Sequence, residues 1–348
     1  MKKILLSLLA VAALASCSKM TVEYEAPQEI GFKAVAGNMT KASGLSGSLA
    51  TTQKLGIWAF WDKDGATGAV SGSGFSAYED NYLVNALFSH KNGSWGGSGN
   101  GYPWPANGAL VFSGYTTPGS NTLTTLEVTA VESTTTAGVA YDFANDKMYF
   151  TNYDNTSEFD LCWFGRTASS YNYRADGTAV PVTLSHALSW ISIDVYGTGT
   201  PIGNWTITSM TLKNAVTKGT ATCEGAIATW EPITNSNINV YTGGNHVLTA
   251  ASETEKDGNK IYSGVRLTNN LVIPSLPVEL TVNYSFLVNG VTKTDSKTVS
   301  LKLNPDNNQN WQSGIHYIYT LNFKGNEILV APSYGVWTEV TQPTITVE

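Results

Sequence analysis

Apolar residues recur at every second position in short runs, and Gly, Pro, Asn and Asp separate the runs. That period marks strands with one face on a core. Ile30, Phe32 and Ala34 alternate briefly. Leu55-Gly56-Ile57-Trp58-Ala59-Phe60-Trp61 is apolar throughout and predicts a strand buried on both faces, ended by the turn Asp62-Lys63-Asp64-Gly65. Tyr82, Val84, Ala86 and Phe88 share one face of a further strand, followed by a Gly-rich loop at 92–101. Strands at 109–115 and 159–164 complete a first series, and the polar stretch 121–155 between them reads as a surface excursion. A second series follows at 180–184, 190–196, 205–212, 271–273, 278–288, 297–303 and 316–323. No stretch holds a helical period beyond two turns. The pattern predicts an all-β protein of antiparallel sandwiches, with a boundary near 175–180.

Composition sharpens this picture. The chain has 348 residues, 42% hydrophobic and only 14% charged, which excludes disorder and suffices for two cores. A net charge of −7 argues against a nucleic-acid partner, because phosphate binding needs a basic field.

The N-terminus predicts export. Met1-Lys2-Lys3 is a basic start, and residues 4–14 are apolar but too short to span a bilayer, which needs about 20 residues. The run ends in Leu14-Ala15-Ser16-Cys17, a bacterial lipobox, which makes 1–16 a signal peptide and Cys17 the lipidated residue. Two or three acyl chains there would hold the protein stably on a membrane, where one would not. Loss of Lys2 and Lys3 with the signal takes the charge to about −9. The other cysteines, Cys162 and Cys223, read either as one disulfide or as two small buried hydrophobes, and the second reading is preferred.

Catalytic chemistry is sparse. His90, His186, His246 and His316 stand at no metal-ligand spacing from another His or Cys, so no metal, cofactor or catalytic residue is assigned. Asp62-Lys63-Asp64-Gly65 has its Gly two positions early for a calcium loop, and the run Asp306, Asn308, Asn310 has the first three ligand spacings but Trp311 at the Gly position, so both read as turns. Gly97-Ser98-Gly99 precedes no helix and reads as a flexible loop. Trp95, Tyr102 and Trp104 surround the Gly-rich loop. They are either sugar-stacking platforms or core aromatics, the preferred reading for Trp104.

Five pieces together resemble the fimbrillin family of Bacteroidetes. They are the lipobox at Cys17; Glu29-Ile30-Gly31-Phe32 followed by Thr40-Lys41-Ala42; Tyr102-Pro103-Trp104-Pro105 with Val111-Phe112-Ser113-Gly114-Tyr115; Leu184-Ser185-His186-Ala187-Leu188; and Trp311-Gln312-Ser313-Gly314-Ile315-His316-Tyr317-Ile318-Tyr319 leading to Trp337. The resemblance implies two tandem transthyretin-like (Greek-key) β-sandwiches, at 42–177 and 178–348, behind a tether and cleavable segment at 17–41. It also implies a lipid-anchored subunit of a cell-surface fimbria on the outer membrane, serving adhesion, trimmed after a basic residue. Lys41 is the candidate and Lys33 its competitor.

Cutting there would free the strand around Ile30 and Phe32 and leave a groove for a neighbour's strand. In the tail, Ile345 and Val347 alternate with Thr344, Thr346 and Glu348, which makes them either candidate donor-strand residues or the last strand of their own domain. The partners implied are other fimbrial subunits, the membrane, and an unidentified surface ligand. Trp104 and Trp337 are expected to be structural. A pilus anchor or tip protein and a surface glycan-binding lipoprotein are the alternative functions, and an enzyme is the weakest.

Overall fold

The structure is a computed structural model. It describes residues 28–36, 40–41, 45–46, 52–64, 80–91, 93–97, 101–117, 119–155, 159–171, 178–198, 205–250, 252–256, 259–303, 309–324 and 327–336. Cys17, Trp337, Ile345 and Val347 lie outside these residues, as do Asp306 and Asn308.

The described chain is all-β. Strands β1 (Gly31–Ala36), β2 (Thr40–Lys41) and β3 (Leu45–Ser46) precede β4 (Lys54–Asp62), β5 (Asp80–Lys91), β6 (Ser94–Gly97) and β7 (Ala109–Thr117). Then come β8 (Gly138–Asp142), β9 (Lys147–Asp154), β10 (Cys162–Phe164), β11 (Val180–His186) and β12 (Ser189–Thr198). A long ribbon, β13 (Trp205–Glu224) and β14 (Ile227–Val247), leads to β15 (Ser252–Lys256), β16 (Asn259–Ser263) and β17 (Val265–Val272). The last strands are β18 (Glu279–Val288), β19 (Val291–Ser300), β20 (Ile315–Lys324) and β21 (Glu327–Val336). Among the described residues the helical element is one 3-10 turn, Val128–Ala130.

Three sheets carry the architecture. A closed barrel runs β1-β11-β10-β7-β4-β5-β6, with β6 returning to β1. A four-stranded sheet runs β17-β12-β20-β21. A six-stranded sheet runs β19-β18-β13-β9-β8, with β14 on β13. Closure of the barrel removes free sheet edges, which would otherwise invite pairing with other chains.

Alternation assigns each face. On β4, Leu55, Ile57 and Ala59 point into the barrel with Phe32, Phe88 and Phe112. Trp58 and Phe60 point outward, into a second cluster with Val139, Phe150, Trp163 and Trp230. The third cluster lies between the four-stranded and six-stranded sheets and holds Ile193, Leu212, Val282, Trp311, Tyr319 and Phe323. β13 serves two of these cores. Its first half pairs with β18 and its second half with β9, with register shifts along the ribbon.

Two expectations of pattern give way. Val84 does not share an inward face with Phe88: it is 53% exposed, while Leu83 is buried. Asn85 adopts φ 49 and shifts the phase, and its amide is held by Leu123 O and Thr125 Oγ1. The polar stretch 121–155 is not an excursion either, since β8 and β9 extend the six-stranded sheet and bury Val139, Ala140, Met148 and Phe150 completely.

Candidate functional site

The feature that calls for explanation is the seat of β1. This first strand lies parallel to β11, with Phe32 opposite Val180 and Ala36 opposite Leu184. On its other side it is antiparallel to β6, with Phe32 opposite Trp95. The residues before it clip onto the 102–104 segment. Ile30 N–H donates to Tyr102 O at 2.7 Å, and Trp104 N–H donates to Gln28 O at 3.1 Å. Gly101, at φ +77, permits this approach, since a Cβ there would overlap the Glu29 carboxylate.

Side chains alternate strictly through the seat. Ile30, Phe32 and Ala34 are 0%, 0% and 2% exposed inside the barrel, while Glu29 and Lys33 are exposed. Phe32 meets Phe88 and Phe112 edge-on, each with ring centroids 5.1 Å apart. Burial of Ile and Phe stabilises by roughly 1.5–3 kcal/mol each, before any ladder hydrogen bonds. β1 is therefore core, although it comes from the N-terminal segment.

The basic residues nearby differ in setting. Lys33 sits within β1, between two paired neighbours, with its backbone opposite Pro181. Lys41 lies in the two-residue strand β2, opposite Leu45 of β3. A protease takes its substrate as an extended, unpaired segment, so Lys33, inside a six-residue strand of the closed barrel, is better shielded while β1 remains seated than Lys41 in its two-residue pair.

The aromatics around the Gly-rich loop lie inward. Trp95 is 4% exposed and its indole N–H donates to Gln53 O at 2.9 Å. Trp104 is 5% exposed and stands edge-on to Phe112 at 5.9 Å, and Tyr102 packs on Phe88 at 5.1 Å. Neither Trp offers a free face for sugar stacking.

Folding assembles one cluster that sequence spacing does not reveal. Cys162 and His186 are cross-strand partners on β10 and β11, and Asp160 joins them, all three buried. Asp160 Oδ1 lies 3.1 Å from His186 Nδ1, and Cys162 Sγ lies 3.4 Å from the same nitrogen. A nucleophile–base–carboxylate relay uses both ring nitrogens, so this arrangement is not one. Burial first, and the Asp160 charge second, push the Cys162 thiol well above its ordinary pKa, which disfavours the reactive thiolate. Thr116 finishes the network: its hydroxyl accepts from Cys162 N–H at 2.7 Å and donates to Asp160 O at 3.0 Å.

The cluster pins the passage from barrel to sandwich. Directly after His186, Ala187 and Leu188 are fully buried. Ala187 N–H donates to Leu161 O, Ala187 O accepts the Trp230 indole at 2.7 Å, and Leu188 O accepts from Gly314 N–H at 2.9 Å. Two of the motifs, around His186 and around Trp311, thus meet at this crossing. Cys223 is buried in the cluster between barrel and ribbon and, like Cys162, is not in a disulfide.

His316 is also placed structurally. Its ring stacks on Trp190 at 3.6 Å and its Nε2 lies 2.7 Å from Ser192 Oγ. Burial, and then Arg266, lower its pKa to about 3, so it is neutral. The four histidines fall on β5, β11, β14 and β20. Asp62 closes a local turn by accepting from Asp64 N–H at 3.1 Å. Among the described residues, a cleft of about 640 Å³ beside β13 and β18 is lined by one carboxylate, Glu279, and one aromatic, Trp230.

A family profile described as fimbrillin-like matches residues 40–337. Among solved structures, a fimbrial protein from Bacteroides vulgatus ATCC 8482 is 16% identical with a TM-score of 0.50, the match covering 89% of this chain and 99% of that one. A candidate cell adhesion protein from Bacteroides uniformis ATCC 8492 is 15% identical with a TM-score of 0.49, covering 89% and 100%. The tip fimbrial protein Mfa3 from Porphyromonas gingivalis, truncated at its C-terminus, is 10% identical with a TM-score of 0.32, covering 82% and 94%. No curated protein matches the chain.

Proposed function

The chain belongs to the fimbrillin-like family, and on that premise we propose that it is a structural subunit of a cell-surface fimbria serving adhesion. It is exported as a lipoprotein through Cys17 and held at the outer membrane by its acyl chains. Assembly proceeds by strand addition after proteolysis at Lys41. The observation that carries this reading is the seat of β1. A strand supplied by the segment between Cys17 and Lys41 fills the barrel core and closes the barrel between β6 and β11.

A cut after Lys41 severs β1 from the barrel covalently but leaves it bound. Its departure would open the barrel at two edges and expose the sites of Ile30, Phe32 and Ala34. Such a state is costly, because two rows of backbone groups lose their partners. A neighbour's extended segment restores both the ladder and the burial, which is what makes strand addition favourable. In the other direction, the tail around Ile345 and Val347 enters a neighbour's groove.

We read the barrel and the sandwich as the family's two transthyretin-like units. In this reading the passage between them is at Ala187 and Leu188, which the pairing of β11 with β1 and β10 supports. The protein has no catalytic role in this reading.

The test is the N-terminus of the protein on intact cells, together with removal of residues 343–348. A surface form beginning at Ala42, and loss of high-mass polymers on truncation with unchanged melting, are the expected results. A surface form that keeps acylated Cys17 makes it an anchor instead. Polymers that persist after truncation refute the donor role of the tail.

A further inference from the structure

We infer that the seat of β1 selects an incoming strand with an aromatic residue at its centre, and so takes its strand from a different subunit rather than from a second copy of this chain. The inference rests on the strand-addition reading and adds to it the identity of the partner.

The seat has three inward sites of different size, occupied by Ile30, Phe32 and Ala34. The middle one is a slot between Phe88 and Phe112, whose rings meet Phe32 edge-on at 82° and 87°. Trp104 stands edge-on to Phe112 at 87° and backs that wall. An aliphatic side chain in this slot leaves a void and loses both edge-to-face contacts. The third site holds only a methyl group, so a larger side chain there is overpacked. The first site has a backbone requirement as well, because its N–H donates to Tyr102 O at 2.7 Å. A fitting strand therefore reads aliphatic, any, aromatic, any, small, with no Pro at the first position. The outward positions, held by Gly31 and Lys33, are permissive. A Cβ on Gly31 would meet nothing nearer than 3.7 Å, and Lys33 is exposed.

The chain's own tail does not fit. Residues 338–348 contain no aromatic. One register puts Ile345 at the first site and Val347 in the slot, which leaves an aliphatic side chain where the ring belongs; the next register along brings Pro343 in with them. Run in the sense of β1, it puts Pro343 at the site that must donate, Ile345 in the aromatic slot and Val347 in the methyl-sized site. Run in reverse, Ile345 still occupies the slot and Pro343 the small site. Other registers bring in Glu339, Gln342 or Thr residues, which lose their hydration in an apolar groove. The subunit whose strand enters this barrel therefore carries a different sequence from this chain's tail.

The test uses full-length protein cut after Lys41 and a fluorescent peptide of residues 28–36 that exchanges into the seat. Competitors are the unlabelled 28–36 peptide, its Phe32→Val form, a tail peptide of residues 338–348, and that tail peptide with Pro343→Ile, Ile345→Phe and Val347→Ala. The expected order has Phe32→Val weaker by ~10-fold or more and the native tail peptide weaker by ~100-fold or more, with the triple substitution recovering most of the loss. A native tail peptide that competes as well as the 28–36 peptide overturns the inference and leaves strand addition standing. If the labelled 28–36 peptide never enters the cut protein, strand addition falls and this inference falls with it.

Discussion

Replacing Phe32 by Ala in the uncut protein tests whether β1 is an integral part of the core. Its side chain is fully buried and contacts Phe88 and Phe112 through two edge-to-face pairs. A buried Phe→Ala change costs about 3–5 kcal/mol, with the upper half expected here because each aromatic pair adds about 0.5–1.5 kcal/mol beyond buried area. That is a large part of the roughly 5–15 kcal/mol that holds a domain folded. The assay is urea unfolding followed by Trp fluorescence, where the midpoint should fall with little change in slope. Gly31→Ala is the control, since its Cβ would meet Ser94 Oγ, Trp95 O and Ala179 Cβ at 3.7, 3.7 and 3.8 Å, all ordinary contacts. A surface-like change of this kind stays within about 0.5 kcal/mol. In protein cut after Lys41, Phe32→Ala should also raise the dissociation constant of the N-terminal fragment by about 150- to 5,000-fold, the same free energy read as affinity. A loss below about 1 kcal/mol for Phe32→Ala would refute the reasoning, because it would mean the barrel folds without this strand.

Cys17→Ala should release the protein from the membrane fraction, because acyl chains are the anchor the sequence offers; unchanged fractionation would rule out the lipobox reading. Lys41→Ala should leave the N-terminal segment attached on cells while Lys33→Ala does not, as mass spectrometry of the surface form would reveal; the opposite pattern would refute the shielding of Lys33 by its ladder. For His316 the folded pKa of about 3 lies below the ordinary 6.5, so the folded state binds the proton less readily than the unfolded one. Its contribution is intact above pH 6.5 and is lost as pH falls from there toward 3, at up to about 1.4 kcal/mol per pH unit. His316→Gln should remove this part of the acid dependence, and urea midpoints at pH 7 and pH 4 that shift equally in both proteins would refute it.

Much of the fold was legible in the chain, and the rest was not, for reasons visible in particular elements. Apolar runs and alternation identified β4, β7, β12 and β20 because their side chains face cores. It missed β14, whose residues are mostly exposed and carry no apolar period. Its strand conformation comes from pairing with β13, a partner that no local pattern names. β8 and β9 looked like a polar excursion because Thr, Asn and Asp dominate the surrounding stretch. The inward residues Val139, Met148 and Phe150 become core only when β13 lies alongside. The phase of β5 was misread at Val84 because one bulged Asn reverses every inward position beyond it.

Sequence alone determined the all-β class and which faces of the strongest strands are apolar. These are local properties, set by residue type and period. The tertiary structure decided that β1 sits parallel to β11, a strand far along the chain, and that Asp160, Cys162 and His186 meet beside the crossing into the sandwich. It also decided that Phe32 fills a slot between two rings from two other strands. Such neighbours are chosen by the energy of the whole packed arrangement. Ile30-Gly31-Phe32 announces a strand with one apolar face, but its groove exists only once β6 and β11 have come together.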